Sequence, residues 1–524
     1  MEPGSDVESL KKVAKGAGFV FVSMIISKVI SYFYYFFVAR GLGPEGYGMI
    51  EIGISVISFV WVFASLGLTM TPGRYAAYYK GRRDTRRLKG SIQACIIMLL
   101  PLGIISAVLL FVISPIISPI VTSNPAVTPE MSMILRILSI AIPFTMLNAV
   151  MRVSLRGLQN MKHSAYAEYI IFNSVQLMLV LAFLFIGWDV FGVALAYLIS
   201  TVVTTGSFFY FLQRKSFPII SKIKSIRPYK EMLLFSLPLF LGSVSVVFLS
   251  WTDTLFIGVL KDASWSGIYN AALPLAGMIF IIERSFSGLI IPIVTEMDVK
   301  KQGNRISRFY KDVTNWIFYA GLPFLLLLML FSKNALNFVF GDAYMAGAQA
   351  LSILALGYFT SSIFSGAYSI LFAMKKTKHL SMNNMAGAAL NVVLNFLLIP
   401  AYGIAGAAVA TTISVNVTNL LATFQVWRLT GMQPLTARIF RSLLAGLVSI
   451  SFIYILTETF WEYVPIPMII ALFFLFIGLY LVLLLAFGTL QKSDIVVLKA
   501  FEEKLGIRIK WLRELVIKLS RVNG

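Results

Sequence analysis

Long apolar segments alternate along this chain with short polar segments that carry most of its lysine and arginine. A helix needs about 20 residues to cross the hydrocarbon core of a bilayer, and only helices and closed barrels satisfy their own backbone hydrogen bonds there. Fourteen segments have the required length and low polarity, which predicts an all-α, polytopic membrane protein with about fourteen transmembrane helices. The predicted spans are 17–39, 48–70, 91–113, 131–153, 166–187, 190–213, 231–260, 265–294, 314–332, 346–374, 380–399, 403–427, 437–457 and 465–488.

Two of these spans, 231–260 and 265–294, are longer than a crossing requires, which predicts that they are tilted or bent. The apolar segments 114–121 and 335–340 are too short to cross. Composition agrees with a membrane protein, because 58% of the residues are hydrophobic and 13% are charged, against about 25% charged in ordinary globular proteins. The single cysteine, Cys95, excludes an internal disulfide, and two histidines offer little for a histidine-based metal site.

The basic residues are distributed unevenly between the two sides of the predicted membrane. With the N-terminus in the cytosol, 38 of the 44 Lys and Arg residues fall on the cytosolic side, and only Arg40, Lys261 and Lys333 fall outside. This pattern obeys the positive-inside rule, so both termini are expected in the cytosol. The net charge of +21 then faces anionic membrane lipid and not nucleic acid. We expect a multi-pass protein of the plasma membrane.

The basic tail, residues 491–524, is predicted as a separate amphipathic segment. Its sequence SDIVVLKAFEEKLGIRIKWLRELVIKLSRV alternates apolar and basic residues at helical spacing. Such a helix lies on a membrane surface, and we favour a cytosolic membrane anchor over a partner-binding role.

The chain contains a weak internal repeat with an offset near 215 residues. The only two histidines, His163 and His379, fall in register. Each match is weak alone, but the order and the near-constant offset agree. The matching segments are LRGLQNMKH (155–163) with LFAMKKTKH (371–379), GVALAYLIST (192–201) with GAAVATTISV (406–415), and LGPEGYG (42–48) with LKDASWSGIY (260–269).

Six spans in each copy give both copies the same orientation, related by an axis along the membrane normal. We therefore predict two pseudo-symmetric six-helix lobes with a central cavity, an arrangement that suits alternating access. Spans 13 and 14 have no counterpart and form a two-helix appendage. The predicted domains are the N-lobe 1–215, the C-lobe 216–430, the helix pair 431–490 and the basic tail 491–524.

The stretch ARGLGPEGYG (39–48), the fourteen spans and the two lobes resemble the multidrug/oligosaccharidyl-lipid/polysaccharide exporter superfamily, above all its polysaccharide-transporter branch. The resemblance covers essentially the whole chain. It implies a flippase that moves an isoprenoid-(pyro)phosphate-linked oligosaccharide from the cytosolic to the outer leaflet, without hydrolysis, using an ion gradient or the membrane potential. For LGPEGYG itself, a Gly/Pro-broken connection between spans 1 and 2, we expect a structural role and not a ligand role.

Basic side chains within the predicted spans or at their ends are candidates for binding the substrate phosphate. Guanidinium groups bind phosphate through two hydrogen bonds, and ammonium groups bind it as point charges. The alternatives are ion pairs between helices and contacts with lipid headgroups. The candidates are Lys28 and Arg284 near mid-membrane, Arg136 in the outer part of span 4, and Arg74 and Arg152 at cytosolic span ends.

Asp253 lies in the middle of the apolar run VFLSWTDTLFIGVL, where a charged side chain costs about 2.5–3.5 kcal/mol. Asn391 and Asn395 are four residues apart and therefore share one face of span 11. Span 12 offers a threonine beside a segment of small residues. The candidate oxygen ligands for a small cation are the side chains of Asp253, Asn391, Asn395 and Thr411 and the carbonyl of Ala407.

The resemblance implies a sodium site of this kind in the second lobe of related lipid-precursor flippases, with an acid where this chain has Asn395. Two further interpretations of Asp253 are a proton-carrying carboxyl and an ion pair with Lys28 or Arg284. We expect no cofactor, and Na⁺ or H⁺ as the coupling ion.

Two other functions are compatible with the predicted spans. A drug/cation antiporter of the same superfamily needs an acidic or apolar cavity, whereas the basic residues Lys28, Arg136 and Arg284 outnumber the acidic residues Asp253 and Glu283 within the spans. A membrane enzyme usually has a large extracytoplasmic domain, but the outer loops are short, without paired carboxylates, a metal cluster or a nucleophile–base set. We predict a transporter and not an enzyme: a monomeric flippase of lipid-linked oligosaccharide, with the antiporter as the alternative.

Overall fold

The computed structural model describes residues 3–300, 302–460 and 465–489, and all regular structure in them is helical. This confirms the predicted all-α class. Helices suit the hydrocarbon of a membrane because each helix satisfies its backbone hydrogen bonds within itself. The amphipathic tail predicted for 491–524 lies outside the described residues. The α-helices are α1 (Pro3–Ser65), α2 (Thr71–Gly81), α3 (Thr85–Val121), α4 (Thr128–Gly157), α5 (Met161–Ala165), α6 (Phe172–Ile186), α7 (Asp189–Lys215), α8 (Tyr229–Leu260), α9 (Ala263–Ala276), α10 (Ile279–Val299), α11 (Gly303–Leu330), α12 (Ser332–Phe340), α13 (Ala348–Phe364), α14 (Gly366–Ala373), α15 (Thr377–Thr430), α16 (Ala437–Phe460) and α17 (Ile466–Ala486).

Two of these helices are long enough to cross a membrane twice. Non-helical backbone divides α1 at Gly43 (φ 69°) and α15 at Gly403 (φ 57°), and glycine adopts such positive φ values easily. In the described residues, eleven helices are long and apolar enough to cross, or twelve with the bent pair α9–α10. Because α1 and α15 each hold two crossings, the described residues provide fourteen, which confirms the predicted count.

The eighth predicted span is bent, as its length suggests. The chain turns by 42° between α9 and α10, whereas α8, the seventh span, is one continuous helix. The short apolar segment 114–121 extends α3 to its C-terminal end and forms no separate element. Segment 335–340 belongs to the nine-residue helix α12.

The turns in the first pair of matching segments have the same backbone conformation. Gln159 and Lys375, 216 residues apart, both have positive φ, at 64° and 60°. Positive φ is uncommon outside glycine, so its recurrence at this offset supports the internal repeat. The hydrogen bonds that close the two turns are Asn160 N to Leu155 O and Lys376 N to Leu371 O, each 2.8 Å long.

The described residues form two compact units. The first comprises the chain up to Ala271 together with Asn391–Ala407, and the second comprises Ala272–Leu390 and the residues from Ala408 onward. A core of the first unit is built from α2, α3, α4 and α7. The second unit has one core around α10, α11, α14 and α15 and another around α11, α13, α16 and α17. The predicted lobe boundaries stay a prediction.

Within the first unit, the glycine-rich segment after the first span packs directly on the start of α9. A Cβ atom on Gly48 would overlap the carbonyl oxygen of Ala263, and one on Gly267 would overlap that of Pro44. The two backbones therefore approach as closely as glycine allows, which agrees with a structural role for LGPEGYG.

Candidate functional site

Asp253 is buried in α8, with 6% of its surface exposed. Its Oδ1 accepts hydrogen bonds from Nδ2 of Asn391 (3.1 Å) and of Asn395 (2.6 Å). Its Oδ2 accepts one from the Tyr269 hydroxyl (2.5 Å). Hydrogen bonds to an ionised acceptor are roughly twice as strong as neutral ones, so three neutral donors offset much of the cost of burying a carboxylate. All four residues belong to the first unit.

The spacing of these residues along their helices explains how they meet. Asn391 and Asn395 lie on one face of α15, as their separation of four residues predicts. Tyr269 lies on α9, which begins three residues after the end of α8. The next residue on each helix is also paired, since the Thr254 hydroxyl donates to Asn270 Oδ1 (3.1 Å). Two successive polar contacts therefore join α8 to α9.

The structure brings together three of the five predicted cation ligands, and the other two, Ala407 and Thr411, are buried further along α15. The asparagines direct Nδ2 at Asp253, and Asn395 Oδ1 is buried without a hydrogen-bond partner in the described part of the chain. To bind a cation, each amide would present its oxygen, which a half-turn about χ2 achieves at constant shape. In the observed conformation, the side chains around Asp253 therefore act as hydrogen-bond donors to its carboxylate. Cation binding by the five residues stays a prediction.

Arg136 and Arg152, two predicted phosphate ligands, lie far apart on α4. Their separation of 16 residues corresponds to about 24 Å along the helix, so one phosphate cannot contact both. Arg136 Nε donates to Ser114 Oγ (3.2 Å) at the α3–α4 contact. The two arginines therefore belong to different sites.

The other three predicted phosphate ligands have exposed side chains. The Arg74 guanidinium lies over the ring of Phe235, 4.4 Å from its centre, which is a cation–π contact. Lys28 in the first unit and Arg284 in the second are exposed on α1 and α10. Exposure is what contact with a substrate requires, and phosphate binding by these residues stays a prediction.

Two acidic residues of the first unit are not among the site residues predicted from the sequence. Glu51 on α1 is buried, with 7% exposed, and its side chain is hydrogen-bonded to that of Tyr47. Glu168 joins two arginines of α4: Oε1 accepts from Arg152 Nη1 (2.9 Å) and Oε2 from Arg156 Nη2 (2.5 Å). The available signal was an acid in a largely apolar run, MIEIGIS and YAEYIIF, the same signal that singles out Asp253.

These residues change the charge balance on which the expected cargo partly rested. Glu51 and Glu168 lie within the predicted spans 48–70 and 166–187, and they raise the number of acidic residues to compare with Lys28, Arg136 and Arg284 from two to four. Charge balance alone therefore does not separate an anionic from a cationic cargo.

Similar proteins come from archaea and bacteria. An uncharacterized membrane protein of Methanocaldococcus jannaschii is 23% identical over 430 residues, which is 80% of this chain and 84% of that protein. A putative O-antigen transporter of Shigella flexneri is 22% identical over 391 residues, covering 74% of this chain and 90% of the relative. The second name is that of a transporter, in agreement with the predicted class.

Two solved structures share the fold. The lipid II flippase MurJ, in an inward closed conformation, superimposes with a TM-score of 0.70 over 92% of this chain and all of its own, at 16% identity. An inward-facing multidrug resistance transporter of the MATE family superimposes with a TM-score of 0.66 over 79% of this chain and 98% of its own, at 15% identity. That transporter is described as a member of the multidrug/oligosaccharidyl-lipid/polysaccharide superfamily, so the fold agrees with the resemblance carried by ARGLGPEGYG.

The family assignment rests on the first half of the sequence. Residues 13–298 match the family model described as "Polysaccharide biosynthesis protein". This match includes the glycine-rich segment, α2 to α9 and Asp253, and it spans more than half of the chain. The chain belongs to the polysaccharide biosynthesis protein family.

Proposed function

We propose that this protein is a flippase that carries isoprenoid-(pyro)phosphate-linked oligosaccharide from the cytosolic to the outer leaflet by alternating access. The observation that carries the proposal is the family match together with a fold shared with a lipid II flippase. Such a cargo couples a charged, hydroxyl-rich head to an apolar tail. A protein whose exposed helices are apolar and whose interior holds carboxyl and amide side chains suits both parts.

The proposed driving force is a cation gradient or the membrane potential. The Asp253 carboxylate supplies oxygen ligands of the kind a small hard cation takes, and Asn391 and Asn395 would add amide oxygens after a half-turn about χ2. The carboxylate alone suffices for H⁺. One cation moving down a potential of 100 mV releases about 2.3 kcal/mol. An inside-negative potential also drives an anionic headgroup outward.

The direct test is reconstitution into proteoliposomes that carry fluorescent lipid-linked oligosaccharides of defined structure in one leaflet. We expect the glycan to become accessible to a lectin on the opposite side, and faster with an imposed sodium or proton gradient or potential. Protein-free vesicles control for spontaneous movement. The proposal would be contradicted if none of the tested glycans became accessible to the lectin under any of the gradients.

Arg284→Ala is expected to slow translocation by about tenfold or more, since a charge-assisted hydrogen bond to phosphate contributes about 1.5–3 kcal/mol. The initial rate of lectin accessibility measures this. The matched control is Lys300→Ala, in which the lost amine lies just beyond the same helix and is paired with Glu296 (2.5 Å). Equal rates for Arg284→Ala, Lys300→Ala and the parent protein would remove Arg284 from the substrate path.

We also propose that both termini face the cytosol, in the plasma membrane, and that the protein acts as a monomer. The single cysteine makes the topology easy to test, because a Cys95→Ser protein is free of thiols. In that background, Lys261→Cys is expected to react with an impermeant maleimide added outside cells, and Lys222→Cys only after lysis. The opposite pattern would invert the proposed orientation.

The second candidate function is a multidrug/cation antiporter. Two observations favour it: the fold shared with a multidrug transporter and the buried acids Glu51 and Asp253, which suit a cationic cargo. Extrusion of an organic cation dye by the same proteoliposomes, without movement of lipid-linked glycan, would select the antiporter.

A further inference from the structure

A cavity of about 330 Å³ lies inside the first unit, away from Asp253. It is lined by α1, α4, α6, α7 and the turn that carries Glu168, and it is partly open. Aromatic rings, including those of Trp61, Phe172 and Tyr197, form part of its wall. The remaining wall carries polar side chains, among them Asn148 and Arg152 on α4.

Three polar atoms of this wall are buried and have no hydrogen-bond partner in the described part of the chain. They are two donors, Trp61 Nε1 and Arg152 Nε, and one acceptor, Asn148 Oδ1. The direction of the Asn148 amide is fixed, because its Nδ2 donates to the carbonyl of Thr201 (3.2 Å). Buried polar groups are nearly always paired, so these atoms point to a ligand that offers both acceptors and donors.

Glu168 determines what the arginine can bind. This glutamate occupies a π-helical turn, Tyr166–Ile171, a feature frequent at functional sites. It holds Arg152 Nη1 (2.9 Å) and Arg156 Nη2 (2.5 Å) at the same time. A phosphate would have to displace or repel this carboxylate to reach the Arg152 fork. A neutral hydroxyl needs only the remaining Nε donor.

The size of the cavity limits the ligand further. A volume of about 330 Å³ equals the space of about ten water molecules at about 30 Å³ each. This accommodates one hexose-sized ring with its hydroxyl groups, but not an oligosaccharide or an isoprenoid chain. Apolar walls with a few fixed polar atoms are typical of sites that orient a small ligand.

We infer that this cavity binds one neutral sugar ring of the glycan head, with the ring against the aromatic wall and its hydroxyls on Trp61 Nε1, Arg152 Nε and Asn148 Oδ1. The inference rests on the proposed flippase function and assigns to Arg152 the recognition of a hydroxyl, not of the phosphate. The phosphate of the cargo then binds elsewhere. The lipid chain stays outside the cavity.

The test compares two probes on the purified full-length protein in nanodiscs: isoprenyl phosphate alone, and isoprenyl phosphate carrying glucose, galactose, mannose or N-acetylglucosamine. Asn148→Leu keeps the branching at Cγ and removes both the acceptor and the amide donor that pairs with the Thr201 carbonyl. We expect it to weaken binding of at least one sugar-carrying probe about tenfold or more, because a site built for a hydroxyl loses much when a partner is missing, and to leave the bare probe unchanged. Trp61→Phe keeps an aromatic ring, removes the donor, and is expected to act in the same direction.

The matched control is Thr145→Val. Thr145 also faces the cavity, but its hydroxyl already donates to the carbonyl of Ile142 (2.7 Å), so binding of both probes is expected to stay as in the parent. Melting curves verify that each variant is folded. An equal loss for bare and sugar-carrying probes would make this a phosphate site and overturn the inference. So would unchanged binding in both Asn148→Leu and Trp61→Phe, or no preference of the parent protein for any sugar-carrying probe.

The outcome also separates this inference from the proposed function. Parent and Asn148→Leu proteins that translocate lipid-linked glycan at the same rate would overturn the sugar site and leave the flippase intact. A parent protein that moves no glycan but extrudes an organic cation would overturn both.

Discussion

Asp253→Asn is expected to abolish the response of translocation to a sodium or proton gradient while leaving the protein folded. Asparagine has the same shape, and the neighbouring amides of Asn391 and Asn395 can turn to match it. The variant lacks the charge that would hold a cation or carry a proton. At 100 mV, one coupled charge contributes about 2.3 kcal/mol, which corresponds to a factor of about 50 in the equilibrium ratio of cargo between the two leaflets. The variant is expected to lose this contribution.

The measurement is the rate of glycan translocation in proteoliposomes, with and without each gradient. A matched control is Thr254→Val, which removes the neighbouring hydroxyl and its bond to Asn270 but no charge. Its gradient response is expected to equal that of the parent. An Asp253→Asn protein that keeps the full gradient response would show that the carboxylate has a structural role, held by Tyr269 and the asparagines, and that coupling occurs elsewhere.

Gly48→Ala is expected to prevent correct packing of the first unit, at a cost of about 3 kcal/mol. The added methyl group would occupy the position of the Ala263 carbonyl oxygen, and backbone cannot move aside as a flexible side chain can. Gly267→Ala is expected to act alike, because its methyl would overlap the Pro44 carbonyl. Both changes leave hydrophobicity almost unaltered, so the cause of any loss is steric.

The yield of monodisperse protein and its melting temperature measure this effect. Gly242→Ala serves as the control, since a Cβ on this glycine of α8 meets open space and alanine favours a helix. We expect Gly242→Ala to be as stable as the parent. Gly48→Ala protein with normal yield and melting temperature would show that the close contact between α1 and α9 adds little to stability.

Much of the candidate site at Asp253 could be read from the sequence, but one partner could not. Asn391 and Asn395 stand four residues apart, and helical geometry puts them on one face whatever the tertiary structure. Tyr269 and Asp253 are 16 residues apart on different helices, and a bend after α8 brings them together. A tyrosine near the end of an apolar helix is common, so nothing local marks this one.

Arg152 is a second residue whose contacts could not be predicted from the sequence. The sequence places it at a cytosolic span end, where a phosphate ligand is a sound expectation. The π-helical turn widens the next span by one residue and directs Glu168 at two arginines of α4. No period in the apolar pattern indicates such a turn, because a π-helical insertion shifts the face of the helix without changing its composition.

The sequence by itself determined that this protein lies in a membrane, how many times it crosses it, that it contains a repeat, and to which family it belongs. These depend on length, apolarity and order along the chain, since each crossing helix satisfies its backbone hydrogen bonds within itself. Only the tertiary structure decided which polar side chains meet. Asp253 finds Tyr269, Glu168 finds its two arginines, and a cavity keeps three unpaired polar atoms. Those pairings depend on the rotation and bend of neighbouring helices, which packing between distant segments sets.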